Sequence, residues 1–184
     1  MTILDPTDPA TYNLHEGWIY SEEGVGHAGV AQSWGRFFWR RGGIEWADWQ
    51  TAKNECEQEG AELPVPRGSS QMYFIFMNAC GPANSTEPNT SNKGCYGSIW
   101  LGINDIENEG TYVDNAGVPI NYSYWLTDNP NRCDNNNHSY GYDCEELDAS
   151  FMYGRHHSGA TLRWGKARTT EQRMNFMCIK FSDP

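Results

Sequence analysis

Six cysteines are the residues of this chain whose chemistry is easiest to infer from type and spacing. None belongs to a Cys-x-x-Cys pair, which argues against a zinc ribbon and against thioredoxin-like redox chemistry. An even number of widely spaced cysteines instead predicts three disulfides formed in an oxidising compartment. The residues are Cys56, Cys80, Cys95, Cys133, Cys144 and Cys178.

The sequence indicates no catalytic constellation. Five histidines are present, and the only adjacent pair is His156 and His157, whose side chains would point to opposite faces of a strand. A Gly-x-Ser-x-Gly elbow, a His-Glu-x-x-His helix and a phosphate-binding glycine loop are all missing from the sequence. Glu145 and Glu146 are neighbours, not carboxylates opposed across a cleft. These patterns predict a protein that is not an enzyme.

Charge and hydropathy exclude two classes of partner. The net charge is -11, from 13 Lys plus Arg against 24 Asp plus Glu, and no basic run could follow a phosphate backbone. We therefore expect no nucleic-acid partner. No stretch is apolar for long enough to span a bilayer, so no membrane span is expected either.

Length and composition predict one folded domain with a lead-in. A chain of 184 residues is long enough to bury one core. Residues 1–17 are polar with two prolines and lack the apolar core of a secretory signal, so we interpret them as the lead-in of a mature chain. Residues 18–184 are predicted to form the domain.

The stretch from Trp100 to Cys144 carries several motifs in a fixed order. They are Trp100-Leu101-Gly102-Ile103, Glu109 to Asp114, Tyr122-Ser123-Tyr124-Trp125, Asn129-Pro130-Asn131 and Asp143-Cys144. In this order and at these spacings the motifs resemble the long-loop half of a C-type lectin-like domain. The resemblance implies an α+β fold in which two helices flank small antiparallel sheets, with a long loop region and disulfide staples. It also implies a secreted, non-catalytic module that recognises a carbohydrate or glycoprotein ligand on cells, microbes or matrix.

The same resemblance implies one cysteine pairing, and the positions of the other cysteines suggest two more. The Trp-x-x-Ala-x-x-x-Cys pattern that ends at Cys56 is similar to the first helix of the family, whose cysteine joins the last strand, here at Cys178. Cys80 and Cys95 would close a polar insertion locally. The family's usual partner for Cys144 is absent, and Cys133 is the nearest candidate.

A structural calcium site is a further implication. Calcium takes six to eight oxygen ligands. The family's acidic positions correspond here to Asp105, Glu109 and Asp143, with Asp134 as a substitute for acids replaced by Arg132 and Tyr142. The alternative is that Asp105 and Glu109 are only polar turn residues.

The sugar-bridging position departs further from the family. Asn129-Pro130-Asn131 resembles the motif in which two carbonyl side chains flank a cis proline and reach one ion, but two amides bring no charge. Lys166 would place an ammonium where the cation sits in the family. A sugar-bridging calcium is therefore disfavoured unless Asp128 or Asp134 contributes.

A sugar could also bind without an ion. Rings of Tyr140, Tyr142 and Trp164 could stack on the apolar face of a sugar, while Asn and Asp side chains contact its hydroxyls. The alternative is that such aromatics pack in the core, as we expect for Tyr124 and Trp125. The loss of calcium ligands also favours a rival function, a protein-binding or adhesion module.

Four Asn-x-Ser/Thr sequons agree with secretion, at Asn84, Asn89, Asn121 and Asn137. With every cysteine paired internally, any homo-oligomer is expected to be non-covalent.

Two helices and several strands must position these residues. Apolar residues Trp46, Trp49, Ala52 and Cys56 form one stripe of a helix predicted over residues 45–60. A second helix is predicted over residues 69–79, with Met72, Phe76 and Ala79 on its buried face.

Strands are predicted on both sides of the helices. Two are expected between Trp18 and Trp39, and over residues 36–41 Phe37 and Trp39 should face one side and Phe38 the other. Later strands are expected to begin at Glu145, to run over residues 160–164, and to close the sheet over residues 174–181.

Overall fold

A computed structural model describes residues 18–21, 37–42, 46–80, 97–108, 110–125, 148–153, 162–169 and 173–181. Within these ranges the elements follow the order β1 (Ile19–Ser21), β2 (Phe37–Arg41), α1 (Trp49–Gln58), α2 (Ser69–Asn78), β3 (Ser98–Asn104), β4 (Asp148–Tyr153), β5 (Trp164–Arg168) and β6 (Met177–Lys180). The predicted combination of two helices with small antiparallel sheets is confirmed. None of the described helices is long and apolar enough to cross a membrane.

The strands form two antiparallel sheets of three strands each. The first has the order β1-β2-β6 and the second the order β3-β4-β5. A backbone hydrogen bond of 2.9 Å from the Trp100 N–H to the Asn175 carbonyl joins β3 to the segment that precedes β6. The second sheet therefore rests against the first through the end of the chain.

Strand β2 shows the predicted alternation. Phe37 and Trp39 belong to one hydrophobic cluster, whereas Phe38 belongs to the other. All five residues of the strand are buried, so both of its faces are covered. On the side of Trp39, the ring of Phe74 from α2 packs edge to face against the Trp39 ring, with 5.4 Å between the centroids. A strand buried on both faces explains why its residues are apolar at successive positions.

Helix α1 begins after an aspartate cap. The Asp48 side chain accepts a hydrogen bond of 2.7 Å from the Thr51 N–H, which satisfies one of the unpaired donors of the first turn. Trp49, Ala52 and Cys56 are buried as predicted. Trp46 was predicted on the same stripe, and this is wrong: it precedes the cap and is 65% exposed.

Helix α2 is buried more widely than one face. The predicted Met72, Phe76 and Ala79 are buried, but Phe74 and Ile75 are buried as well. Buried residues therefore lie around most of the circumference of α2. The prediction of a single buried face included too few of its residues.

A disulfide joins Cys56 of α1 to Cys178 of β6 across a sequence separation of 122 residues, as predicted. Cys80 is also disulfide-bonded. Its predicted partner Cys95, and the predicted pair of Cys133 and Cys144, lie outside the described residues, so these pairings stay predictions.

Strand β5 starts at the residue where it was expected to end. The prediction of a strand over residues 160–164 is wrong for its described part, because Leu162 has a φ of 64°, which is incompatible with an extended strand. The chain turns at Leu162 and becomes a strand only from Trp164 to Arg168.

Candidate functional site

The candidate site lies where the chain reaches Trp125 and where β5 begins. Trp125 and Trp164 form a parallel bridge, and the Trp164 N–H donates a backbone hydrogen bond of 2.7 Å to the Tyr124 carbonyl. The two indole rings stand 5.6 Å apart at 83°. This contact fixes the point at which the chain enters residues 126–147, the segment in which most of the predicted ligand-binding residues fall.

Trp164 was predicted to stack on a sugar, and the structure contradicts this role. The residue is 1% exposed. The ring of Tyr122 lies 5.8 Å from its indole, and the indole N–H donates to the Met72 Sδ atom at 3.1 Å. A ring enclosed in this way supports the floor of the site and cannot offer a face to a ligand.

Tyr124 and Trp125, where the chain enters residues 126–147, are less buried than Trp164. Trp125 is half-buried and packs 4.7 Å from the Tyr112 ring. Tyr124 is half-buried and carries the Arg163 guanidinium over its ring, 3.8 Å from the centroid. The predicted packing roles of Tyr124 and Trp125 therefore hold only in part, because each also keeps some exposed surface.

Tyr122 belongs to a sequence motif that does not indicate its role at the site, and Arg163 belongs to none of the motifs. Burial raises the pKa of the Tyr122 phenol, the neighbouring Tyr124 raises that pKa further, and the positive charge of Arg163 opposes both. The sequence carries no signal for Arg163, since its position depends on the stack with Tyr124.

Asp105 follows β3 and is fully buried, with 0% exposure. Its Oδ2 atom accepts a hydrogen bond of 3.0 Å from the Gly110 N–H, which closes the turn. Among the described residues no group of three or more His, Cys, Asp or Glu side chains is placed to hold a metal ion. The other predicted calcium ligands, Glu109, Asp134 and Asp143, lie outside the described ranges.

Lys166 lies two positions after Trp164 on β5 and therefore on the same face of the sheet. Its side chain is buried, with 8% exposure, and its cross-strand neighbour on β4 is the buried Ser150. A lysine is rarely buried to this extent. This face of the sheet therefore contains an unusual residue, a buried cationic side chain.

The remaining predicted site residues fall elsewhere. Asn121 of the sequon is exposed. Outside the described residues lie the predicted ligand-binding residues Asp128, Asn129, Asn131, Tyr140 and Tyr142, and the sequon residues Asn84, Asn89 and Asn137.

A cavity lies on a part of the surface lined by other residues. A cavity of about 110 Å³ is lined by polar and apolar side chains, among them Glu62, Arg67, Asp114 and Phe181. Burial raises the pKa of the Glu62 carboxyl, and the Asp114 carboxylate raises that pKa further. Arg67 lies 3.6 Å from Asp114 and offsets part of this negative charge.

The chain is similar to known proteins in sequence and in fold. A family model described as the Lectin C-type domain matches residues 45–180, which is more than half of the chain. The chain is 41% identical over 89 residues to the lectin BRA-3 of Megabalanus rosa, an alignment that covers 47% of this chain and 46% of that one. It is 36% identical over 76 residues to a C-type lectin domain family 3 member A homolog of Xenopus laevis, covering 40% and 33%. The chain thus spans less than half the length of these curated relatives.

The fold is also similar to solved structures. The carbohydrate-recognition domain of cow CD23, determined in the presence of a GlcNAc2Man3 oligosaccharide, superposes with a TM-score of 0.56 at 16% identity, covering 83% of this chain and 94% of that one. At this identity the similarity establishes the fold alone.

Proposed function

Because the chain belongs to the C-type lectin domain family, we propose that it is a non-catalytic extracellular module that binds carbohydrate through residues 126–143 and the neighbouring start of β5. The domain would comprise residues 18–184, preceded by a lead-in of residues 1–17.

The contact between Trp125 and Trp164 carries this proposal. Residues 126–143 are mostly polar in sequence, and a binding surface built from polar residues gains little from apolar burial, so support at its ends contributes most. Trp125 enters the segment while bridged to β5, and Trp164 is held from below by Met72 of α2. The same support would let Asn129 and Asn131 present their amide oxygens to a sugar, with Tyr140 and Tyr142 as stacking rings.

Calcium would have a structural role at Asp105. A carboxylate with no exposure is a hard oxygen donor of the kind calcium prefers, and the described turn holds it in one position through the Gly110 N–H. Glu109 and Asp143, with Asp134 as a substitute, would complete the ligand set. The ion would connect the turn after β3 to the end of the recognition segment at Asp143.

Ion-bridged sugar binding is less well supported, because Lys166 brings a buried ammonium to the face of β5 on which the family would bind its second ion. Sugar contact through amides and aromatic rings is therefore the proposed mode. The same observation favours a second candidate, a protein-binding module that uses this surface without a sugar.

A glycan array in calcium, repeated in chelator, tests the proposal. Binding that persists in chelator supports the proposed amide and aromatic mode. Binding abolished by chelator shows that calcium is required, and Asp105→Asn then distinguishes its role: loss of binding in this variant assigns the requirement to the structural site, whereas unchanged calcium-dependent binding supports an ion-bridged lectin. Absence of glycan binding in both conditions contradicts carbohydrate binding and favours the protein-binding module.

The location of the site is tested with paired variants. The double substitution Asn129→Ala with Asn131→Ala should abolish glycan binding without changing the unfolding midpoint. Asn54→Ala, on the exposed side of α1, is the matched control and should bind like the parent. Equal binding by all three proteins would show that the segment is not the ligand surface.

A further inference from the structure

The stack of Arg163 on Tyr124 is a preformed unit at the edge of the candidate site. The guanidinium carbon lies 3.8 Å from the Tyr124 ring centroid, and Nη1 donates to the Trp125 carbonyl at 3.4 Å. The positive φ of Leu162 turns the chain immediately before Arg163, and the backbone hydrogen bond from Trp164 to Tyr124 joins the two segments beside the stack. Two residues 39 positions apart are thereby fixed face to face.

The charge of Arg163 is not used by an ion pair within the described part of the chain. The ion pairs within the described residues join other cations to carboxylates: Arg40 to Glu55 and Glu59, Lys53 to Glu57, and Arg67 to Asp114. Arg163 contacts an aromatic ring and one carbonyl oxygen instead. One of its five N–H donors is directed at that carbonyl, which leaves the others for a ligand.

The geometry suits an anion in the plane of the guanidinium. Arginine presents its donors as a planar fork that matches a carboxylate or a sulfate in a bidentate arrangement. Stacking on Tyr124 fixes that plane, so less side-chain freedom is lost when an anion binds. Both residues are half-buried, and an ionic hydrogen bond is stronger there than in open water.

The net charge of -11 makes this cation distinctive. A surface that is acidic overall repels anions at long range, so an anion is retained only where a local cation is held in the right orientation. The neighbouring rings of Tyr122, Tyr124 and Trp125 provide apolar surface next to the cation, as a ligand with both a sugar ring and an acid would need.

We propose that the Arg163–Tyr124 stack is a subsite for an acidic group on a glycan. The group is a carboxylate, as in sialic or uronic acids, or a sulfate ester. This inference rests on the proposed carbohydrate-binding function and adds the class of sugar that the site prefers.

The test uses the full chain on an array of matched glycans, in which one neutral core is printed alone, with a terminal carboxylate sugar and with a sulfate ester. The parent should bind an acidic form about tenfold more tightly than the neutral core, since a charge-assisted hydrogen-bond pair has that effect on affinity. The carboxylate and sulfate arms identify which acid is preferred.

Variants assign the preference to the stack. Arg163→Gln should lose the preference for acid and keep the affinity for the neutral core. Arg163→Lys retains the charge without the fork and should keep only part of the preference, which distinguishes bidentate recognition from simple attraction. Arg173→Gln removes an exposed arginine elsewhere and should behave like the parent. Unfolding midpoints measured for all four proteins identify any variant that fails to fold. If Arg163→Gln fails to fold, Tyr124→Leu takes its place: it removes the ring that orients the guanidinium and should lose most of the preference for acid.

Two outcomes would overturn the inference, and they are distinguishable from a failure of the proposed function. The subsite is contradicted if the parent binds neutral and acidic glycans equally, or if the preference for acid survives in Arg163→Gln. Neither result contradicts carbohydrate binding itself. Binding to no glycan at all removes the proposed function, and the subsite with it.

Discussion

The indole N–H of Trp164 donates a hydrogen bond to the Sδ atom of Met72 across 3.1 Å, between residues 92 positions apart. The contact joins β5 to α2 beneath the candidate site, where both side chains are almost completely buried. A buried indole N–H needs an acceptor, and a thioether is an uncommon one. The shape of the site therefore depends on a helix that contributes no ligand-binding residue.

Met72→Leu tests the importance of this acceptor. Leucine preserves the volume but leaves the Trp164 N–H without a partner, so we expect a loss of about 1–2 kcal/mol in the free energy of unfolding. The Tyr122 hydroxyl, 3.9 Å from the same sulfur, loses a weak contact as well. Urea denaturation followed by tryptophan fluorescence measures the change.

Met77→Leu is the matched control for that substitution. Met77 packs against the same hydrophobic cluster, but its sulfur accepts no described hydrogen bond. Such an exchange usually costs less than about 1.5 kcal/mol, and because Met77 is only partly buried its cost should lie at the low end of that range. Equal costs for the two variants would show that the sulfur at Met72 acts only by filling space.

The elements of the fold were predictable from sequence where local pattern and tertiary environment agree. The alternation of Phe37, Phe38 and Trp39 is a property of any strand, and it survives because both faces of β2 are covered. Trp46 failed because a helical period was extended past its start. Asp48, directly before Trp49, is a readable N-cap signal that places the start of α1 after Trp46.

The second prediction concerns the disulfide between Cys56 and Cys178. Both cysteines are fully buried and close a loop of 122 residues, so their joint replacement by alanine should lower the free energy of unfolding by about 5 kcal/mol on the chain-entropy estimate. Chemical denaturation of the parent and the double variant measures this difference. A loss below about 2 kcal/mol would indicate that the unfolded chain is already compact without the bond.

The third prediction concerns Gly102 in the Trp-Leu-Gly-Ile motif. A Cβ atom at this position would lie 2.6 Å from the Leu63 carbonyl oxygen, a backbone atom that cannot move freely. Gly102→Ala should therefore cost about 2–3 kcal/mol through overpacking. Thermal unfolding gives the comparison.

Gly97→Ala is the control for Gly102. A Cβ there would also have a neighbour at 2.6 Å, but that neighbour is the amide of the Asn175 side chain, which can rotate away. The cost should be well below that of Gly102→Ala. Equal unfolding temperatures for the two variants would show that the close approach of the Leu63 carbonyl is not the reason for glycine at position 102.

The fourth prediction is a pH dependence that arises from Glu62. Its pKa is raised in the folded protein, first by burial and then by Asp114, so the folded state favours the protonated carboxyl. The stability linked to this group is present below the unfolded pKa and is lost as pH rises through the folded pKa. Glu62→Gln lacks this loss and should gain stability relative to the parent across that window. Urea denaturation at a series of acidic to neutral pH values measures the difference.

Asp114→Asn provides an independent test of the same coupling. Removing the Asp114 charge lowers the pKa of Glu62, so the pH-dependent loss should become smaller in this variant than in the parent. Asparagine can still accept the N–H groups of Ala116 and Val118 through its side-chain oxygen, which preserves the turn. An unchanged pH profile would indicate that burial alone shifts Glu62.

The candidate site was less predictable than the fold, for a physical reason. Trp164 is a candidate ligand-binding ring in the sequence, but its burial is decided by Met72 and Tyr122, which come from distant parts of the chain. Arg163 is an ordinary residue in sequence and becomes distinctive only through its stack on Tyr124. Side-chain exposure is a tertiary property that spacing alone does not determine.

The last prediction tests calcium at Asp105. If Asp105 is a ligand, calcium at a hundredfold excess over its Kd should stabilise the parent by about 2.7 kcal/mol, because the ion binds only the folded chain. Asp105→Asn keeps an acceptor for the Gly110 N–H but removes the charge, so its unfolding midpoint should respond to calcium weakly or not at all. Glu107→Gln removes an exposed acid two residues further along the same turn and should respond like the parent. A calcium-induced shift that is equal in all three proteins would place the ion elsewhere, and no shift in the parent would leave Asp105 as a turn residue whose carboxylate serves Gly110.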